Sequence, residues 1–139
     1  MNFRELFLEE TEIPGDYLDE TQDDLFWEND DHSVFYLAIQ DILHKGHEAV
    51  CYSLDIMPFD DEGDEWLEVM HALESKGYDT DGYGWESYLL DYIGQENPDL
   101  AARVGNDSES DTCGLYVLDS LEDYRALQAL VSTSIRELL

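Results

Sequence analysis

A chain of 139 residues suits a single domain. It carries 35 acidic residues against 6 lysines and arginines, a net charge of −29, and such a field repels nucleic-acid phosphates and anionic membrane surfaces. With 43% hydrophobic and 12% aromatic residues the chain can bury a core, which excludes a disordered acidic tail.

The same field attracts a basic protein and can raise encounter rates to ~10⁸–10⁹ M⁻¹s⁻¹ in low salt. General solubility and life at high internal salt are the blander causes of acidity, and the scarcity of lysine (Lys45 and Lys76) fits the second. Met1-Asn2-Phe3-Arg4-Glu5 turns acidic at once, unlike a signal peptide. The longest apolar run, 34–39, is too short to span a bilayer. A cytoplasmic protein is expected, with Cys51 and Cys113 as buried reduced thiols.

Along the chain, residues 1–31 form an acidic segment around Asp16, Asp19, Glu20, Asp23, Asp24, Glu28, Asp30 and Asp31. A charge run is usually a solvated face, but the embedded Leu25, Phe26 and Trp27 predict docking onto the chain's own core, which comprises 32–139. Residues 34–39 are branched and aromatic on both faces, which predicts a central strand. A connection through Lys45-Gly46 leads to 49–56, where Val50, Tyr52, Leu54 and Ile56 alternate with Cys51, Ser53 and Asp55. That period of two is a half-buried strand. His44, His47 and Cys51 lack a fourth ligand for zinc.

Pro58 ends this strand. Asp60, Asp61, Glu62, Asp64 and Glu65 precede or open a helix with Trp66, Val69, Met70 and Leu73 on one face. Acids at a helix start each contribute roughly 0.3–1 kcal/mol through the dipole. Five acids within six residues exceed what that end needs. Gly77 suits the left-handed position past the helix end, with Lys76 complementing the dipole. Tyr78 is expected to fold back onto the last turn.

Gly82 and Gly84 bracket Tyr83 and predict a tight approach. A second helix is expected from Trp85, burying Trp85, Tyr88, Leu89, Tyr92 and Ile93. Asp79 and Asp81 suggest calcium, but the fifth and twelfth loop positions would be Tyr83 and Leu90, so a helix-to-helix corner is the better reading. Asn97-Pro98 reads as a cap with proline at the first helical position.

Residues 105–111 form a polar loop. Residues 112–118 read as a third strand, with Gly114 marking a close neighbour. Ser120-Leu121-Glu122-Asp123 resembles a capping box before a helix burying Tyr124, Leu127, Leu130, Val131, Ile135 and Leu138. The order strands, helix, helix, strand, helix predicts an α+β fold: a small, mainly antiparallel sheet with helices packed on one face.

Two blocks resemble a known family. Gly77-Tyr78-x4-Tyr83-Gly84-Trp85-Glu86, then an apolar helix and Asn97-Pro98-Asp99-Leu100, looks like the central signature of immunity protein family 51. The acidic loop, residues 113–118 and residues 121–130 are similar to that family's C-terminal strand and helix. The resemblance covers 73–139. It implies a bacterial, cytoplasmic antidote that binds and blocks a cognate polymorphic or contact-delivered toxin, with no catalytic residues and no cofactor. Gly77, Tyr78, Tyr83, Gly84, Trp85 and Glu86 are then partly structural, and Glu86 favours the helix dipole.

The expected partner is a basic toxin, a nuclease being a natural candidate because its substrate groove is positive. Neither nucleic acid nor membrane is an expected partner. The expected contacts are Asp60, Asp61, Glu62, Asp64 and Glu65, then Asp16, Asp19, Glu20, Asp23 and Asp24, then Asp79 and Asp81. A monomer is expected, with a dimer through an apolar seam as the alternative. DNA mimicry and a salt-adapted acidic domain are the competing readings. An enzyme lacks a nucleophile–base pair, metal-ligand pattern or phosphate loop, and His32, His44, His47 and His71 read as surface or core residues.

Overall fold

In the computed structural model, described for residues 26–28, 34–61 and 63–138, a five-stranded antiparallel sheet carries the helices on one face. The strands are β1 (Phe26–Glu28), β2 (Phe35–His44), β3 (His47–Ile56), β4 (Gly105–Asn106) and β5 (Cys113–Leu118). The helices are α1 (Asp64–Ser75), α2 (Gly82–Glu96), α3 (Pro98–Ala101) and α4 (Leu121–Leu138). The strand order is β1-β2-β3-β5-β4. The expected α+β architecture is therefore present, and the 34–39 strand is interior, flanked by β1 and β3.

β2 and β3 form one long hairpin. Lys45 and Gly46 sit at φ 51° and 82°, and a two-residue turn with both φ positive matches the twist of antiparallel strands. The register runs from Phe35 opposite Ile56 to His44 opposite His47. The polar end of β2 belongs to the strand, because cross-strand pairing continues past the apolar run at 34–39. Phe26–Glu28 adds to β2 as an edge strand, so this part of the acidic segment docks through backbone pairing.

On the helix-bearing face, Leu37, Ile39, Tyr52, Leu54, Ile56, Leu115 and Val117 share a core with Trp66, Val69, Leu73, Trp85, Leu89, Ile93, Tyr124, Leu127, Val131 and Ile135. Both cysteines are free and buried; burial pushes the Cys113 thiol up to about 12. Leu130, expected inside, is half-buried at the margin of α4. Tyr92 also lies half-exposed, one position round α2 from the buried stripe of Trp85, Leu89 and Ile93.

The caps explain most helix boundaries. Gly77, at φ 95°, donates its N–H to Glu74 O at 2.9 Å and stops α1. Asn97 Oδ1 accepts from Leu100 N at 3.1 Å, with Pro98 opening α3. Ser120 Oγ accepts from Asp123 N at 3.1 Å. The Asp123 carboxylate is held by Arg103 through two bonds of 2.8 and 3.0 Å, which ties the end of α3 to α4. The 105–111 loop contains β4, whose two residues pair with Tyr116 and Leu115.

Candidate functional site

The acids at the start of α1 share their segments with exposed apolar side chains. After β3 the chain turns, with Asp60 N donating to Met57 O at 3.1 Å. Trp66 Nε1 donates to Pro58 O at 2.7 Å, which clamps this turn against the first turn of the helix. The next residue in each segment points outward: Phe59 is 58% exposed and Leu67 is 44% exposed. Asp60, Asp64 and Glu68 on the same segments are also exposed, and Glu65 is half-buried in the first helical turn. Asp61 is spent locally, its carboxylate accepting Gly63 N at 2.7 Å. Glu62 lies outside the described residues, as do Asp16, Asp19, Glu20, Asp23 and Asp24. Sequence pattern missed Phe59 and Leu67, since an isolated apolar residue beside acids carries no period.

Asp79 and Asp81 do not join this cluster. They follow the far end of α1, about 18 Å away for a helix of 12 residues at ~1.5 Å per residue. Asp79 is exposed. Asp81 is the N-cap of α2, its carboxylate accepting Gly84 N at 2.8 Å. The helix therefore starts at Gly82 rather than Trp85. Gly-Tyr-Gly is poor helix-forming sequence, but the cap and tertiary packing override it.

The family-like block builds this corner. A Cβ on Gly84 would land on the Asp79 carbonyl, and one on Gly82 on the carbonyls of Glu109 and Thr112. Gly82 N donates to Ser110 O at 3.0 Å, so the start of α2 leans directly on the β4–β5 loop. Glu86, expected to serve the dipole, instead accepts from Ser108 Oγ at 2.8 Å, and Ser108 Oγ accepts from Gly114 N at 3.1 Å. Trp85 is buried, whereas Tyr83 is 52% exposed. Tyr78 folds back onto α1 through its backbone, its N–H donating to Leu73 O at 3.4 Å. Its ring crosses to Tyr88 at 5.3 Å, and its hydroxyl donates to Asp91 at 2.7 Å.

A second carboxylate environment lies on the opposite sheet face. Asp55 in β3 sits between Tyr36 and Gly114. Gly114 is crowded, a Cβ there falling 2.6 Å from Asp107 O. Burial, then the Asp107 charge, pushes the Asp55 carboxyl up to about 6. The single period-two pattern of β3 placed Asp55 on this polar face, but its burial depends on β5 and the loop before it.

Among the described residues no group of three or more His, Cys, Asp or Glu is placed to hold a metal ion. No helix among them is long and apolar enough to cross a membrane. No family model, curated protein or solved structure matches the chain. The likeness to immunity protein family 51 rests on the residues quoted for it.

Proposed function

We propose that the chain is a cytoplasmic immunity protein that binds a basic toxin and occludes its active or substrate site. The observation that carries this reading is two exposed apolar side chains, Phe59 and Leu67, on segments joined by the Trp66–Pro58 hydrogen bond and carrying Asp60, Asp64, Glu65 and Glu68. An apolar centre with a charged rim is the anatomy of a protein interface. The rim steers a basic partner into place and the desolvated centre slows its release. The likeness of the Gly77–Glu86 block supports the choice of a toxin as that partner. In this reading the chain acts by binding, without catalysis or a cofactor.

The test begins with capture from cells that encode the chain, at low and moderate salt, followed by kinetics on the recovered protein. One basic protein is expected, toxic when expressed alone and harmless when co-expressed with this chain. Neutralising Asp60, Asp64 and Glu65 together should slow association about tenfold and flatten its salt dependence. Phe59→Ala should accelerate dissociation instead. An association rate unchanged by the triple variant would remove the acidic rim from the interface. Retention of many unrelated DNA-binding proteins would replace the immunity reading with DNA mimicry.

A further inference from the structure

A cleft of about 380 Å³ opens where the end of α1, one face of α2 and the last turn of α4 meet. From α2 come Tyr88, Asp91, Tyr92, Gln95 and Glu96, from the end of α1 Lys76, and Tyr78 and Glu137 complete it. The α2 positions follow helical spacing. Three tyrosine rings and three carboxylates thus face one lysine in a single recess.

We propose that this cleft receives one cationic side chain, the guanidinium of an arginine presented by a basic partner protein. The source of the arginine rests on the immunity reading; the chemistry of the cleft stands without it. The rings are already committed at their polar ends. Tyr78 donates to Asp91 at 2.7 Å, and Tyr88 donates to Ser134 O at 2.7 Å. Tyr88 is buried beneath the other two, so the electron-rich ring surface that attracts an incoming cation belongs to the half-exposed Tyr78 and Tyr92. Asp91, Glu96 and Glu137 supply opposite charge in the same volume.

A guanidinium suits this arrangement better than an ammonium. It is planar, stacks on aromatic rings, and presents a fork of donors to carboxylates. The walls are preorganised. Tyr88 packs edge-on against buried Trp85 at 6.1 Å, and Tyr78 packs edge-on against Tyr88. A rigid receptor loses little freedom on binding.

The local field agrees. The Asp91 hydrogen bond, then burial, raises the Tyr78 hydroxyl. Burial, then the Glu137 charge, raises Tyr88 and Tyr92. The Asp91 and Glu137 charges favour a cation here, whereas burial, the larger cause at Tyr88 and Tyr92, disfavours charge of either sign. Lys76 makes no ion pair among the described residues, so as the chain's own positive charge at this cleft it opposes an incoming one.

The test uses amide-resolved NMR titration of the whole chain at about physiological ionic strength, where exposed long-range attraction is screened. The probes are N-acetyl-arginine amide, its uncharged citrulline analogue, N-acetyl-lysine amide and spermidine. Saturable shifts confined to the cleft are expected with arginine, weaker with lysine and absent with citrulline. Tyr92→Leu and Glu137→Gln should each weaken arginine binding about three- to tenfold, the range of a partly desolvated cation–π or charge contact. Lys76→Ala should strengthen it about twofold or more. Unchanged unfolding midpoints in these surface variants separate lost binding from lost folding. Equal shifts with citrulline, or non-saturating shifts spread over all acidic surfaces, would overturn the cleft assignment. Spermidine binding tighter than arginine would overturn the partner as its source, as would a captured partner whose affinity ignores Glu137→Gln. Failure to find any toxin would instead strike the immunity reading, since arginine binding is measured on this chain alone.

Discussion

Trp66 and Trp85 stack face to face, with ring centroids 5.4 Å apart and 12° between their planes. One opens α1 and the other lies in the first turn of α2. Phe35 meets the edge of Trp66 at 5.9 Å, and Trp85 meets Tyr88 at 6.1 Å. A line of rings therefore runs from the sheet through the core to the tyrosine cleft.

Truncating either tryptophan should lower stability by about 3–5 kcal/mol, the usual loss for a large buried aromatic. Trp66→Ala also leaves Pro58 O without its indole donor. The two losses should couple, with the double variant departing from additivity by about 0.5–3 kcal/mol. Urea unfolding of the four-member cycle measures this. Strict additivity would mean that the rings contribute only through their separate surroundings.

The corner before α2 should tolerate loss of its cap better than gain of a methyl group. Asp81→Ala should cost about 1 kcal/mol, as caps do. Gly84→Ala places a Cβ on the Asp79 carbonyl and should cost at least about 2–3 kcal/mol, since backbone on both sides must move. Denaturant midpoints at constant slope rank the two. The reverse ranking would show a loop free to shift.

Asp55 should make the native state favour acid. Its folded value of about 6 lies above the 3.8 of the free group, so the folded chain holds more protons between those values. Its contribution is neutral below about 4 and becomes an increasing penalty as pH rises through about 6. Asp55→Asn should therefore raise stability at pH 7 by about 1 kcal/mol, allowing for solvent screening of a partly exposed group. The difference from wild type should vanish near pH 4. Comparison of the two chains across pH cancels the wider effect of neutralising other acids. An Asn variant less stable at pH 7 would mean that the ionised carboxylate is held by its neighbours.

The sheet and its helices were legible where burial repeats regularly. The alternation from Val50 to Ile56, the α1 stripe of Trp66, Val69 and Leu73, and the Asn97-Pro98 cap each declare themselves within a few residues. The start of α2 was not legible, because Gly82 and Gly84 are chosen for what presses against them from Asp79, Glu109 and Thr112. Glu86 looked like a dipole residue because Ser108 is 22 positions away. The cleft was hidden for the same reason: Tyr78, Tyr92 and Glu137 meet only after three segments have packed. For the acidic surface, the 60–65 cluster was visible as charge, but Phe59 and Leu67 needed their exposure to stand out.

The position of β5 has a consequence for the nascent chain. Among the described strands it is the last to be synthesised, yet it fills the place between β3 and β4. Once the β2–β3 hairpin has left the ribosome, the outer edge of β3 must wait for residues 113–118. At about 5–20 residues per second that interval lasts some seconds. An open, partly apolar strand edge invites pairing with other emerging chains. The acidic residues flanking the hairpin make such chains repel one another during that wait.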